Sequence, residues 1–365
     1  MNKRCRVKQK KPQWRQFALM CLLPVLSLPV RAATPALDLT TAARAEQVIL
    51  TPAQQQQLKT TKRRAALVWH GSSAWINAVT AGARAEFTAA GVDVVAVTDA
   101  NFDPARQVAD IENVTTMQPD FILTLAIDPS SVKSSLQRAA KQGAKLVLLS
   151  NPVAGFQHPA DYAGIVTDDM IGMGRRAASV LAEYSNKPVK VGMIFHDADY
   201  FITNTRDQAF ANALKAHPQL QLVARKGFVR EQETSDVAAA LLLQHPETEL
   251  IYVSWDSAAE GVLEALRAAG RKDIRVVTHD LGVNNLLDLA RDGNMLATIA
   301  DQPYLIGQTM AKVALLAELQ QPTPALTLVP FDTVHRHNIS EGWLRAFHSQ
   351  LPAVLQPFIA TENSR

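Results

Sequence analysis

From residue 63 onward, short apolar runs alternate with longer segments of helical periodicity. The run at 65–69 is followed by a segment, 76–90, in which apolar residues recur at helical spacing until Gly91. Short apolar runs are typical of buried strands, and amphipathic periodicity is typical of helices that pack on a sheet. Glycine is preferred just past the end of a helix. Strands that alternate with helices in this way predict a parallel sheet with helices on both faces.

This alternation occurs twice along the chain. The first series places strands at 65–69, 92–97, 121–127 and 146–149, and the second places them at 189–195, 220–224, 250–254, 274–278 and 295–299. Two successive series predict two similar lobes, because each series is long enough to build its own sheet. We therefore predict an α/β fold of two Rossmann-like lobes joined by a hinge with three crossings.

The lobe boundaries follow from the predicted crossings. The first crossing is expected at 167–173, and a strong helix at 303–319 and a late strand at 326–334 follow the second series. The predicted N-terminal lobe comprises 62–167 and 303–329, and the predicted C-terminal lobe comprises 168–302 and 330–365.

The segment before the first lobe lacks periodicity. Residues 33–61 form a predicted N-terminal extension, and four consecutive glutamines at 54–57 indicate a solvated lead-in. The alternative is a short helix at 52–60 that packs on the body or on a partner.

The N-terminus has the pattern of a secretory signal. A basic block without acidic residues precedes an apolar run at 17–30, and Ala32 and Ala33 supply small residues for cleavage. The apolar run is shorter than the roughly 20 residues that a membrane-spanning helix needs. We predict a cleaved signal peptide at 1–32 and a location in the periplasm. The alternative is a membrane anchor that stays attached.

Without the predicted signal peptide, the chain has a different net charge and no cysteine. Of 37 basic residues, 8 lie within 1–32, which leaves 29 against 34 acidic residues and a net charge of −5. The basic character of the whole chain therefore does not indicate nucleic acid binding. Cys5 and Cys21 both lie in the signal, so we expect no disulfide and no cysteine metal site. Lipidation of Cys21 is not expected, because Met20 precedes it.

Polar residues follow the strands where a ligand site is expected. The carboxyl ends of parallel strands line the crevice of such a sheet, and two facing lobes form a cleft between them. Sugar hydroxyls both donate and accept hydrogen bonds, so carboxylates, amides and arginine can hold them, and an indole can stack on the ring. The candidate ligand-binding residues are Ser73, Trp75, Asn151, Arg206, Trp255, Asp256, Asp280 and Asp301.

Some of these residues also have structural interpretations. Trp75 and Trp255 are suitable core aromatics, and Asp256 and Asp280 are suitable helix caps. Arg206 favours a binding role, because a cation in the first turn of a helix is slightly unfavourable. His335 and His337 share a face if they lie on a strand, but no further ligand is near them in sequence, so a metal site is not indicated.

Several stretches carry a resemblance to a known family. They are Ser73-Ala74-Trp75-Ile76, Asp103-Pro104-Ala105, 203–210, His245-Pro246 and, strongest, 256–280. In order and spacing, from about residue 64 to 344, the chain resembles the type I periplasmic binding proteins. Within that family it is similar to the ribose-binding and autoinducer-2-binding members.

The resemblance implies specific roles in sugar binding. Trp75 would stack on the ring, Ser73 would hydrogen-bond it, and Arg206 and Asp280 would be the arginine and aspartate of the second lobe. Trp255 matches an asparagine or small polar position, and Asp301 matches the polar residue of the crossing strand.

The chain also departs from the two family members. Ser150-Asn151 replaces an Asp-Arg pair of the ribose binder, which argues against ribose itself. Asp301 replaces an arginine of the autoinducer receptor, and an acidic pocket disfavours an anionic ligand. We expect a neutral sugar or polyol, or an amine-bearing ligand.

These observations predict a solute-binding protein that delivers its ligand to the membrane permease of an ABC importer. The alternative is a periplasmic sensor that signals to a membrane receptor kinase or chemoreceptor. An enzyme is not expected, because the sequence has no Gly-rich phosphate loop, nucleophile elbow or metal-ligand spacing. We expect no cofactor, no nucleic acid partner and a monomeric state.

Overall fold

A computed structural model describes residues 39, 41–198 and 200–360 of the chain. In this part of the chain the strands are β1 (Ala43–Arg44), β2 (Arg63–Trp69), β3 (Val92–Asp99), β4 (Phe121–Thr124), β5 (Lys145–Leu149), β6 (Gly164–Asp168), β7 (Val189–His196), β8 (Leu220–Phe228), β9 (Leu250–Val253), β10 (Arg275–His279), β11 (Met295–Ala300), β12 (Leu326–Val329) and β13 (Asp332–Val334).

The α-helices of the described chain lie between and after these strands. They are α1 (Pro52–Leu58), α2 (Ala74–Ala89), α3 (Pro104–Thr116), α4 (Lys133–Lys141), α5 (Met170–Tyr184), α6 (Phe201–Ala213), α7 (Thr234–Gln244), α8 (Asp256–Ala268), α9 (Val283–Ala290), α10 (Pro303–Glu318), α11 (Ile339–Phe347) and α12 (Gln356–Ala360).

The strands form two separate sheets. The first sheet has the order β1-β12-β6-β5-β4-β2-β3 and is parallel throughout. The second has the order β13-β11-β10-β9-β7-β8, in which only β13 runs antiparallel to its neighbour. The predicted α/β fold with two lobes is therefore confirmed, and we name the first and second lobes after these sheets.

Both sheets are buried on both faces, which explains their continuous apolar strands. In β2, Ala65, Leu67 and Trp69 belong to one core cluster, and the alternating residues Ala66 and Val68 belong to another. In β9 the same alternation separates Ile251 and Val253 from Leu250 and Tyr252. Side chains of a strand point alternately to opposite faces, so each lobe has a core on either side of its sheet.

The chain passes from one sheet to the other after β6, after β11 and after β12. The first transition follows β6 and leads directly into α5. The prediction placed only a crossing at 167–173 and missed both β6 and α5. The missed strand is short, opens with Gly164 and ends in the polar pair Thr167-Asp168, so its apolar signal is weak.

The predicted late strand at 326–334 is wrong, because two strands in different sheets replace it. β12 pairs with β6 in the first sheet, and β13 pairs with β11 in the second. Pro330 separates them, and proline lacks the N–H group that a continuous ladder requires. The apolar run thus spans a passage between the lobes.

Helix α10 follows the second transition and packs closely on α2. A Cβ at Gly82 of α2 would lie 1.9 Å from the Tyr304 carbonyl oxygen, and a Cβ at Gly307 of α10 would lie 1.9 Å from the Val79 carbonyl oxygen. Only glycine allows the two backbones to approach so closely. The pair fixes α2, the helix that carries Trp75, against the segment that leaves the second lobe.

The lead-in packs on the first lobe, which corrects the prediction of a solvated segment. β1 pairs with β12, and Val48 and Leu58 are buried in the core of the first lobe. The alternative prediction of a helix at 52–60 agrees with α1, which Thr51 caps. The predicted signal peptide lies outside the described residues. Within those residues, no helix is long and apolar enough to cross a membrane.

Candidate functional site

The loop after β2 leads into α2, whose N-terminus carries Ser73 and Trp75. Ser73 is exposed and caps the helix, since its hydroxyl accepts a hydrogen bond from the Ile76 N–H at 3.2 Å. Trp75 is half-buried, and its indole Nε1 donates to Asp301 Oδ2 at 2.6 Å. This bond joins α2 on the first sheet to the residue that follows β11 in the second.

Asn151 lies just after β5 and is buried. Its Nδ2 donates to the Ala126 carbonyl at 2.8 Å, and its Oδ1 has no hydrogen-bond partner among the described groups. Asn151 also hydrogen-bonds Tyr200, which precedes α6 in the second lobe. Burial raises the pKa of Tyr200 to about 12, although the Asn151 hydrogen bond and the Arg206 charge act to lower it. Asn151 therefore faces the second lobe.

Arg206, on α6, is only 4% exposed. Its Nη1 and Nη2 donate to the two carboxylate oxygens of Asp280 at 2.9 and 3.3 Å, a bidentate pair. Asp168 Oδ2 lies 3.9 Å from the same Nη1. Burial acts to lower the pKa of Arg206, but the charges of Asp280 and Asp168 outweigh it and raise the pKa, so the guanidinium stays charged.

Asp280 follows β10 directly and has φ 64°. Aspartate and asparagine tolerate this left-handed region better than most residues do. In this conformation the Asp280 carboxylate lies within hydrogen-bond distance of Arg206.

Asp168 and Asp301 lie where β6 and β11 end, and each is 4% exposed. Burial raises the pKa of Asp168 and raises the pKa of Asp301 well above its usual range, and the charge of Asp280 adds to both rises. Asp168 Oδ1 accepts a hydrogen bond from the Thr167 hydroxyl at 3.0 Å, but Oδ2 has no hydrogen-bond partner in the described chain.

Asp256 is the first residue of α8 and is partly buried. Its Oδ2 would lie 2.7 Å from a Cβ at position 282, so Gly282 makes room for the carboxylate. Burial raises the pKa of Asp256 to about 7, and the charge of Asp280 adds to the rise. Asp256 therefore belongs to the same electrostatic group as Asp280.

Trp255 precedes Asp256 and forms the N-cap of α8. Its indole Nε1 donates to Glu231 Oε1 at 2.6 Å and to Ser257 Oγ at 2.8 Å. The ring meets His196 edge-on, with 5.0 Å between centroids, and lies 4.9 Å from the ring of Phe228. The indole is thus held in one orientation by both polar and aromatic contacts.

A buried polar network supports the helix that carries Arg206. Asp207 Oδ1 accepts hydrogen bonds from the Tyr252 hydroxyl at 2.7 Å and the Ser254 hydroxyl at 2.8 Å. The Tyr252 hydroxyl lies 3.0 Å from His279 Nε2. Burial raises the pKa of Asp207 to about 6, against the hydrogen bonds from Tyr252 and Ser254. The network ties α6 to β9 and β10 and so fixes the direction of Arg206.

The structure brings most of the predicted site residues together. Hydrogen bonds, ion pairs or charge interactions connect Trp75, Asn151, Arg206, Asp256, Asp280 and Asp301. Ser73 is engaged in capping α2, and Trp255 is engaged with Glu231.

The sequence prediction missed three residues of this group. They are Asp168, Tyr200 and Glu231. Asp168 was missed because β6 was not predicted, and a strand there would have placed it at a carboxyl end.

The histidines at 335 and 337 were not expected to form a metal site. Their rings stack, with centroids 5.6 Å apart. Across residues 41–198 and 200–360, no group of three or more His, Cys, Asp or Glu is arranged to hold a metal ion.

Comparison with known proteins identifies the family. A family model described as a periplasmic binding protein domain matches residues 65–320. The ribose import binding protein RbsB of Bacillus subtilis (strain 168) is 27% identical over 221 residues, which cover 60% of this chain and 70% of the relative. The D-allose-binding periplasmic protein of Escherichia coli (strain K12) is 28% identical over 190 residues, covering 50% of this chain and 60% of the relative.

Solved structures share the fold. An ABC transporter solute-binding protein from Agrobacterium vitis, bound with α-D-tagatopyranose, superimposes with a TM-score of 0.70 at 20% identity. The match covers 78% of this chain and 98% of that protein. The family model, the relatives and the fold agree with the resemblance seen in the sequence. This chain therefore belongs to the periplasmic binding protein domain family.

Proposed function

We propose that this protein is the solute-binding component of an ABC importer and that it captures a small hydroxylated ligand, a sugar or polyol, between its lobes. The observation that carries the proposal is the group of Trp75, Arg206, Asp280 and Asp301. Trp75 belongs to the first lobe and the other three to the second, and the Trp75–Asp301 hydrogen bond joins the lobes beside the ends of β10 and β11. Ligands of open α/β sheets bind at this edge.

The chemistry of the group suits a polyol. Arg206 is a donor only, and ionised carboxylates are acceptors only, so adjacent hydroxyl groups can each donate to one and accept from the other. The Trp75 indole hydrogen-bonds Asp301, which places an aromatic ring beside the carboxylates, and the faces of sugar rings are apolar. The relatives named for ribose and D-allose, and the neighbour that binds tagatose, support this ligand class.

Ligand binding would close the lobes by a hinge at the three passages between the sheets. We propose residues 62–167 with 303–329, and 168–302 with 330–365, as the two bodies that move, except that the lead-in and Asp168 would move with the first body, because β1 and β6 pair with β12. A predicted signal peptide at 1–32 would export the chain to the periplasm, where the closed form would dock on the permease as a monomer. Binding and release involve no bond making, so the proposed function is not enzymatic.

A thermal-shift screen tests the ligand class. Pentoses, hexoses, polyols and amino sugars are added singly to the exported chain, because a ligand that binds only the folded state raises its melting temperature. We expect at least one compound to raise the melting temperature by several degrees. A screen in which no hydroxylated compound shifts the transition would contradict the proposal.

A sensor would use the same cleft but a different membrane partner. Helices α11 and α12 follow the last strand, and α11 packs on both β13 and α10, so closure could be reported at this surface. Crosslinking in membranes with and without the ligand separates the two roles. An importer predicts capture of a permease, and a sensor predicts capture of a receptor kinase or chemoreceptor.

A further inference from the structure

The site holds more acid than base. Four aspartates, Asp168, Asp256, Asp280 and Asp301, influence one another electrostatically. Arg206 forms ion pairs with Asp280 and Asp168, whereas Asp256 and Asp301 have no ion pair with any residue that the structure describes. If all four carboxyl groups are ionised, one guanidinium leaves three negative charges without compensation.

Several buried atoms of this site have no hydrogen-bond partner within the described residues. They are Asp168 Oδ2, Arg206 Nε and Asn151 Oδ1. The three residues are 4%, 4% and 2% exposed. Nearly all buried polar groups in proteins are hydrogen-bonded, so unpaired acceptors in a cleft indicate that a ligand supplies the missing donors. Two of these three atoms are acceptors.

The acid excess can be compensated in two ways. The carboxyl groups can take up protons, which burial favours, or a cationic ligand can neutralise them. Asp168 is the carboxylate best placed to bind a cationic group of a ligand. Its Oδ2 lies 3.9 Å from Arg206 Nη1, beyond hydrogen-bond range, and has no other partner in the described chain. An ammonium group has three donors and no acceptor, which matches two carboxylates at the ends of β6 in the first sheet and β11 in the second.

We infer that the cleft selects a polyhydroxylated ligand that bears a protonated amine, an amino sugar or amino polyol, with its ammonium group held by Asp168 and Asp301. This inference rests on the proposed function, because it requires that the cleft binds a hydroxylated solute. Arg206 and Asp280 hold the hydroxyl groups of the same ligand. The amine compensates the charge that Arg206 leaves unpaired.

Calorimetric titration with matched sugars tests the inference. The probes are D-glucosamine, D-glucose and N-acetyl-D-glucosamine, together with the corresponding galactose set and the pair 1-amino-1-deoxysorbitol and sorbitol. The buffer is held at about pH 6, because the oxygens of an amino sugar lower the pKa of its amine below that of an alkyl amine and the probe must be protonated. We expect the best amine to bind at least about tenfold tighter than its hydroxyl parent, and the N-acetyl derivative to lose that advantage.

The outcomes separate the inference from the proposed function. Parents or N-acetyl derivatives that bind as tightly as the amines overturn the inference and leave the sugar-binding function in place. If the amines bind and the neutral probes fail to bind, the result supports both the inference and the proposed function. A full panel without any binding overturns the inference, and the thermal-shift screen over pentoses, hexoses and polyols decides the sugar-binding function separately.

Substitution of the aspartates locates the ammonium group. Asp168→Asn keeps the shape of the side chain but removes its charge, and we expect the ratio of amine to parent affinity to fall toward one. Asp169→Asn is the matched control, because Asp169 caps α5, asparagine caps helices equally well, and the ratio should stay unchanged. Should Asp168→Asn fail to fold in a thermal unfolding check, Asp301→Asn provides the same test. A ratio that survives in the folded variant overturns the placement.

Discussion

The two lobes present different chemistry at the same edge of their sheets. In the first lobe, the polar side chains after the strands mostly hydrogen-bond backbone groups of the same lobe. Ser73 caps α2, Asp103 caps α3, and Asn151 donates to the Ala126 carbonyl. In the second lobe, Arg206 and Asp280 hold each other, and their charges act on the remaining aspartates.

This difference indicates a division of labour in ligand binding. Apart from Asp168 at the end of β6, the first lobe offers an aromatic surface and an amide, which shape the cleft but carry no charge. The second lobe offers a charged pair held by a buried network, which supplies strong and directional hydrogen bonds. Substitutions in the second lobe should therefore cost more affinity than substitutions in the first.

The largest loss is expected from Arg206→Ala. The substitution removes the donors of the site and leaves Asp280 and Asp168 buried without their cation, so we expect no measurable binding in calorimetry. Loss of one partner of a buried ion pair costs about 3–5 kcal/mol, so the variant should melt at a lower temperature but still unfold cooperatively. Arg175→Ala, on the exposed side of α5, is the control and should bind normally. Unchanged affinity in Arg206→Ala would refute the pocket assignment.

Asp280→Ala should also abolish measurable binding. Alanine is strained at φ 64°, so Asp280→Asn is the cleaner variant, because asparagine tolerates this conformation. Loss of a charged hydrogen-bond partner costs about 1.5–3 kcal/mol, so the dissociation constant of the ligand should rise roughly tenfold to hundredfold. Asp292→Asn is the matched control, because it makes the same exchange at an exposed aspartate with a similar backbone conformation, φ 56°. It should leave the affinity unchanged. Equal affinities for the two variants would contradict the role of Asp280.

A smaller effect is expected in the first lobe. Trp75→Phe keeps an aromatic side chain for stacking on the sugar ring but removes the Nε1 hydrogen bond to Asp301. We therefore expect the dissociation constant of the ligand to rise by about tenfold or less. Trp343→Phe, in the core of the second lobe, controls for the general effect of the exchange and should change stability without changing affinity. If Trp75→Phe weakens binding more than Asp280→Asn does, the proposed division between the lobes is wrong.

The smallest effect concerns stability rather than binding. Burial raises the pKa of Asp256 from 3.8 to about 7, so the folded state holds a proton there that the unfolded state has lost. The stability contributed by this group is therefore present at acid pH and declines as the pH rises from about 4 to 7.

Asp256→Asn removes this titration. We expect its melting temperature to decline less between these pH values than that of the wild type, in calorimetric scans without ligand. Asp207, whose pKa is raised to about 6, adds to the decline in both proteins. If the melting temperatures of the variant and the wild type change with pH in parallel, burial does not raise the pKa of Asp256.

Much of this arrangement could be predicted from the sequence, because a parallel sheet with two covered faces imposes a strong pattern. Apolar runs of the length found in β2 or β11 have few other structural solutions, and the residues after them must lie at one edge. The comparisons confirm the family resemblance. That resemblance had indicated six of the eight candidate positions, namely Ser73, Trp75, Arg206, Trp255, Asp280 and Asp301.

The rest depended on contacts that no local pattern contains. Asp168 ends a strand with a weak apolar signal, and its importance comes from Arg206, which is distant in sequence. The apolar run at 326–334 reads as one strand until tertiary pairing assigns its halves to different sheets. The lead-in acquires its structure from tertiary contacts, because β1 pairs with β12 and Leu58 packs in the core of the first lobe.

A crystal structure of the protein with the tightest-binding sugar from the thermal-shift screen would test ligand binding between the lobes directly. We expect a single ligand between the lobes, with hydroxyl groups within hydrogen-bond distance of Arg206 and Asp280 and the ring against Trp75. A ligand bound elsewhere, out of reach of Arg206 and Asp280, would show that this cleft is not the binding site.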